Sequence, residues 1–229
     1  MTVIITIDGP AGTGKSTVAH LLAERLGLEF LDTGAMYRVA ALVAIEQGID
    51  PDDGTALAAA LGAEGPGFDW AANPPTVLLG CRDVSRRIRE QDVSDLVSIV
   101  AAQPALRDLL VGQQRRIADE HRRLVSEGRD QGSVVFPGAG LRVYLDAAVE
   151  VRAERRRSQL IAAGIPVDRD RIVSDIRERD RRDSSRPDGP LVRPAGAVVV
   201  DTSHLTQEQV VDELERISRE HFPAASLKA

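Results

Sequence analysis

The stretch that most restricts the fold runs from residue 3 to residue 27, VIITIDGPAGTGKSTVAHLLAERLG. Val3 to Ile7 form a short apolar run without polar alternation, the pattern of a strand covered on both faces. From Ser16 to Leu26 the apolar residues recur at helical spacing. Between them lies Gly9-x-x-x-x-Gly14-Lys15-Ser16, the phosphate-loop pattern in the strand, loop and helix context it requires. Glycines let backbone N–H groups converge on phosphate oxygens, and the following helix adds its positive end. A phosphate cradle is therefore predicted over Gly9, Pro10, Ala11, Gly12, Thr13, Gly14, Lys15, Ser16 and Thr17. In it Lys15 places a cation at the transferred phosphoryl group, and the Ser16 hydroxyl ligates a magnesium ion bridging two phosphates of ATP.

Similar apolar runs recur at Phe30–Leu31, Val77–Leu79, Val134–Phe136, Val143–Leu145 and Val198–Val200. Helical patterns separate them, at about 36–47, 104–121, 149–163, 168–183 and 207–220. The alternation predicts an α/β fold of three layers, a parallel sheet between helices. Residues 62–89, rich in Gly and Pro and containing Trp70, break the rhythm and read as a small inserted subdomain. At 229 residues the default is one domain, residues 1–229.

The net charge of -6 argues against a general nucleic-acid or anionic-membrane surface, leaving room only for a local basic pocket. Cys81 is the one cysteine, no apolar run approaches a membrane span, and a cytoplasmic protein is expected. His20, His121, His204 and His221 show no metal-ligand spacing. With no exposed apolar stripe, a monomer is expected.

Residues 176–187, IRERDRRDSSRP, raise a different question. Charge runs on helices usually face water. Yet Arg179, Asp183 and Arg186 share one face at i, i+4 and i+7, and that face continues through Ile176 and Ile172. An ionic stripe that prolongs an apolar one points inward, where unpaired charges are costly. The segment 149–187, with its Gly164-Ile165-Pro166 turn, reads as a helical hairpin lid.

A phosphate loop alone does not choose a reaction. The chain lacks both Asn-Lys-x-Asp and Asp-x-x-Gly, which disfavours a GTP-dependent switch. The ordered set GPAGTGKST, LDTGAMYR, GRDQGSVVFP, ERDRRDSSRP and VVVDTSHLT resembles the bacterial cytidylate kinase family, over most of the chain from Val3 to about Arg219. That resemblance implies a P-loop nucleoside-monophosphate (NMP) kinase that moves the γ-phosphoryl group of ATP to CMP or dCMP in pyrimidine nucleotide metabolism. It also implies a mobile NMP-binding region at about 34–103, holding the 62–89 insert, and a mobile lid at about 149–187. By position, Arg38 and Arg129 would hold the CMP phosphate beside Tyr37. Ser98 and Arg107 would contact the base, with Thr33, Asp130 and Arg186 contributing, while Arg179 and Asp183 lie near the pentose and phosphates. The catalytic set implied is Lys15, Arg129, Arg179 and Arg186. Thr33, Glu127 and Ser184 depart from residues frequent in the family; the first two keep a hydroxyl and a carboxylate.

The chemistry suits these residue types. Bringing two polyanions together requires fixed cations, and guanidinium groups grip phosphate bidentately without losing protons. The acceptor is already ionised, so alignment and charge stabilisation suffice. Magnesium needs few protein ligands. Ser16 is the direct one, while Asp32 and Asp130 either reach it through water or orient neighbouring arginines. One of Arg155, Arg156 and Arg157 is a candidate for ATP, since consecutive helical residues cannot share a face. Kinases of shikimate, gluconate or a coenzyme precursor, and an ATP-binding regulator without turnover, are the competing readings.

Overall fold

A computed structural model describes residues 2–62, 65–162, 164, 166 and 168–227. Ala163 of the predicted helix, Ile165 of the predicted turn and the terminal Lys228 and Ala229 lie outside the described residues. The chain opens with β1 (Val3–Asp8), α1 (Lys15–Leu26), β2 (Glu29–Asp32), α2 (Thr33–Gln47) and α3 (Gly54–Leu61). Three short strands follow, β3 (Gly67–Asp69), β4 (Thr76–Leu79) and β5 (Arg82–Asp83), then α4 (Gln91–Val100) and α5 (Pro104–Glu120). The second half carries β6 (Arg123–Gly128), β7 (Leu141–Asp146), α6 (Val149–Ala162), α7 (Arg169–Ser185), β8 (Val198–Asp201) and α8 (Gln207–His221). Among the described residues no helix is long and apolar enough to cross a membrane.

Five strands make one parallel sheet in the order β2-β6-β1-β7-β8. Alternation along β1 divides the core. Val3, Ile5 and Ile7 face α1 and α8 in one apolar cluster, whereas Ile4 joins the cluster built from α2, α4 and α5 on the other side. Helices thus cover both faces, and the strands need no polar side. The antiparallel β3-β4-β5 sheet stands apart from this layer, with Val77, Val84 and Ile88 packed into the α2 side of the core.

Strand order reverses around β1, between β6 and β7, and open α/β sheets bind ligands outside such a point, at the strands' carboxyl ends. Gly9 leaves β1 there with φ 147°, where a Cβ would sit 2.0 Å from the Leu145 carbonyl oxygen. Only glycine allows the loop to turn against β7 at that distance. Asp32, at the end of β2, caps α2 by accepting the Ala35 N–H at 2.9 Å.

The predicted strand at Val134–Phe136 is not formed. Residues Gln131–Val135 instead make a π-helical turn, closed by N–H groups of Val134 and Val135 on the Asp130 carbonyl. The strand lies earlier, at β6, where RLVSEG shows no continuous apolar run. Its Glu127 is nonetheless buried against Ser16 of the phosphate loop, and Ser126, on the opposite face of the strand, is buried donating to Gln131 Oε1 at 2.8 Å.

Candidate active site

At the carboxyl end of β1 the phosphate loop holds Lys15 almost fully buried, its Nζ donating to the Pro10 carbonyl at 2.7 Å. Burial, and after it the Arg129 guanidinium, pushes the Lys15 ammonium down to about 7. The Thr13 hydroxyl donates to the same carbonyl at 3.1 Å. Ser16 Oγ donates to Glu127 Oε1 at 2.6 Å, a carboxylate brought from β6. Burial and the neighbouring Asp32 push the Glu127 carboxyl up to about 7. Asp32 is drawn below its usual value: burial works against ionisation, but Arg89, paired with it at 2.6 Å, together with hydrogen bonds to Glu127 and the Ala35 N–H outweighs that.

Two buried carboxylates and a hydroxyl make a set of hard oxygen donors whose mutual repulsion a divalent cation would relieve, so these residues fit magnesium. Asp130 does not join them, because its Oδ2 is taken by Arg107 Nη2. Glu127 is therefore the second carboxylate of this edge, in place of the Asp130 alternative. Beside it a cavity of about 510 Å³ opens between Ser16 and Asp32 and the insert residues Phe68 and Arg89.

The arginines converge from separate elements. Arg129, just beyond β6, pairs through Nε with Asp183 Oδ2 at 2.8 Å. Arg186, at the end of α7, reaches Asp183 Oδ1 at 3.3 Å and donates to the Ala101 carbonyl at 3.2 Å. Arg38 of α2 donates to the Ile88 carbonyl and, at 2.8 Å, to Ser94 Oγ. Arg179 is only half-buried as a residue, yet its Nε has no partner among the described residues. Burial, then Arg129, pushes its guanidinium down to about 10. Arg38 and Arg186 are lowered for the same first reason, desolvation. Asp183 goes the other way, since three guanidiniums outweigh its burial. A cluster of cations with one shared carboxylate is short of negative charge, which is the state of a site built for anions.

Next to it lies a buried polar pocket. Arg107 of α5 pairs with Asp130 and donates to the Tyr37 hydroxyl at 3.2 Å, with its guanidinium 5.9 Å from that ring's centre. Burial pushes the Tyr37 phenol up to about 12. Thr33 Oγ1, at the first residue of α2, donates to the Glu127 carbonyl at 2.7 Å, which orients it toward β6. Ser98 is buried on α4. The backbone of Gly189 covers the pair so closely that a Cβ there would meet Arg107 Nη2 and Asp130 Oδ2.

The comparisons with known proteins address the same chain. The sequence profile described as Cytidylate kinase matches residues 5–220. The chain belongs to the cytidylate kinase family. A cytidylate kinase of Mycolicibacterium paratuberculosis is 44% identical over 97% of this chain and 98% of its own length. That of Nocardia farcinica is 45% identical over 97% and 96%, and that of Corynebacterium glutamicum 46% over 92% of each. Among solved structures, an uncharacterised protein of Eubacterium ventriosum aligns with TM-score 0.52 at 12% identity, covering 96% of this chain and 99% of its own. A gluconokinase of Sinorhizobium meliloti aligns with TM-score 0.50 at 17% identity, covering 96% and 95%. At such identities these likenesses speak for the fold alone, a three-layer P-loop kinase fold.

Within this cytidylate kinase family member the residues singled out from sequence separate into three groups. Lys15 and Ser16 line the loop, Arg38, Arg129, Arg179, Asp183 and Arg186 the cationic cluster, and Tyr37, Arg107 and Asp130 the polar pocket. Thr17 is exposed at the edge of the cavity. Arg155 donates to the hydroxyl and carbonyl of Thr202, whose hydroxyl in turn donates to the Thr13 carbonyl of the phosphate loop, and Arg157 pairs with Glu154. Arg156 instead donates to Gln91 Oε1 at 3.1 Å and depresses both Arg38 and Arg179, so it belongs to the cationic cluster. Arg177, Arg181 and Arg182 face solvent with Glu150 and Glu178. Arg89 and Glu127 were not among the site residues predicted from sequence. Neither is marked by periodicity, although Glu127 precedes the Gly-Arg-Asp motif directly.

Proposed function

We propose that this chain transfers the γ-phosphoryl group of ATP to CMP or dCMP, giving ADP and CDP or dCDP. The observation that carries the choice of acceptor is the buried Arg107–Asp130 pair beside the cationic cluster: a reader of a polar base edge, joined to the phosphate grip through the consecutive residues Arg129 and Asp130. The Asp130 carboxylate accepts from cytosine's amino group, and Arg107 donates to its carbonyl or ring nitrogen. Uracil presents a carbonyl to Asp130 and leaves a buried polar edge unpaired, which disfavours it. Ser98 and Thr33 complete the wall around the base, with Tyr37 beneath Arg107.

Arg38 and Arg129 hold the acceptor phosphate, while the loop residues Gly9 to Thr17 hold the triphosphate. Lys15, Arg129, Arg179 and Arg186 surround the migrating phosphoryl group and offset the charge it spreads over its oxygens. Lys15, neutralised in part by burial, regains its full charge against phosphate. Ser16 would hold magnesium directly, with Glu127 and Asp32 acting through water, and the ion would neutralise charge on the donor phosphates. Arg156 and Arg179 come from the α6–α7 hairpin, so closing this lid over ATP would bring cations and exclude water together. The working protein is read as a cytoplasmic monomer.

The test is ADP formation from ATP and magnesium with each nucleoside monophosphate, and with shikimate and gluconate. Turnover confined to CMP and dCMP supports the reading; UMP turnover equal to that of CMP overturns the pocket assignment.

A further inference from the structure

Asp8, the last residue of β1, is wholly buried and touches neither the phosphate loop's cradle nor the cationic cluster through a hydrogen bond. Each of its carboxylate oxygens accepts one backbone N–H: Oδ1 from Gln131 at 2.8 Å, Oδ2 from Gly132 at 2.7 Å. These two N–H groups begin the π-helical turn that follows Arg129 and Asp130. A buried N–H without an acceptor is costly, so the carboxylate dictates where β6 ends and the turn begins. The turn is pressed onto β1 at this place. A Cβ on Gly132 would lie 2.8 Å from Thr6 Oγ1, which leaves the backbone no room to move inward.

The consequence concerns the two residues just before the turn. Arg129 departs toward Asp183, and Asp130 toward Arg107. Their divergence sets the distance between the phosphate grip and the base reader. We infer that Asp8 is a positioning residue for the acceptor: through Gln131 and Gly132 it holds Arg129 and Asp130 in register, so that it governs both CMP affinity and base discrimination without touching CMP. The inference rests on the acceptor reading above. Displacement of such groups by about 1 Å is enough to cost about a hundredfold in rate.

Asp8→Asn keeps the shape and one acceptor oxygen but turns an NH2 group toward one of the two N–H groups. Wild-type turnover of CMP, measured first, tests the acceptor reading by itself. In Asp8→Asn, kcat/KM for CMP is expected to fall about a hundredfold, and the preference for CMP over UMP at least about tenfold, with KM for ATP within about threefold. Asp8→Glu, which keeps both acceptor oxygens, is expected to retain the CMP over UMP preference. An Asp8→Asn enzyme with unchanged CMP kinetics overturns the inference, as does a parallel loss toward ATP and CMP. So does failure of both variants to fold, which would make Asp8 a residue of stability alone.

Discussion

Replacing Asp183 with alanine removes the one carboxylate that two inward guanidiniums share, Arg129 at 2.8 Å and Arg186 at 3.3 Å. Asp183 is 4% exposed, so water does not easily take its place. Deleting one partner of a buried ion pair costs roughly 3–5 kcal/mol, because the remaining charge stays desolvated. The Arg129 side chain keeps 20% of its exposure, which places the cost at the lower end, about 3 kcal/mol. For a chain of this length that corresponds to a melting temperature lower by about 6–12 °C. The same deletion leaves the cationic cluster hungrier for anions. Inorganic phosphate should therefore raise the melting temperature of Asp183→Ala by more than it raises that of the wild type. Asp183→Asn, which keeps an acceptor oxygen but no charge, should fall between the two. The pH sign follows from the depressed carboxyl: the pair's contribution is present above the ordinary aspartate range and is lost as pH falls through the lowered folded value. The gap between wild type and variant should thus narrow in acid. Scanning calorimetry of both proteins, with and without phosphate, checks all of this. A loss under about 2 °C, or equal phosphate shifts in the two proteins, would refute the reasoning.

Three further outcomes are expected. With Lys15 pushed down to about 7, ATP binding without metal should take up more protons at pH 8 than at pH 6, read by calorimetric titration in buffers of different ionisation enthalpy. Gly9→Ala places a Cβ 2.0 Å from the Leu145 carbonyl oxygen and should abolish ATP binding in a fluorescent-nucleotide assay. Arg186→Ala should lower kcat by about a hundredfold or more, as loss of a cation at a migrating phosphoryl group does. It should also lower the melting temperature by several degrees, because the side chain is buried on the Ala101 carbonyl and not standing free in the cleft. From sequence alone this residue would be expected to cost little stability.

Much of the site is legible in the chain because its chemistry is local. The phosphate loop needs strand, glycines, Lys15 and Ser16 in immediate succession, and no distant residue alters that requirement. The α7 stripe is equally local, since helical spacing alone places Asp183 on the face of Ile172 and Ile176. What spacing does not reveal is pairing across the sheet. Ser16 meets Glu127 at a sequence distance of 111, and Asp32 meets Arg89 at 57. No period links such residues. The misplaced strand has the same origin: β6 is buried on both sides but carries two polar residues whose partners are distant or lie beyond the strand, Glu127 on Ser16 and Ser126 on Gln131, so its composition looks like a loop.

By itself the sequence determined the local elements: the phosphate loop, the alternation that makes a parallel sheet, and a charged helix, α7, with one inward face carrying Asp183. Only the tertiary structure decided which of those charges neutralise one another. It assigns Asp130 to Arg107 and Asp183 to Arg129 and Arg186, and it sets Glu127 on the neutral Ser16 hydroxyl. The physical reason is desolvation: a buried charge is costly without a partner, and which partner is within reach depends on which strand ends meet at the switch point around β1.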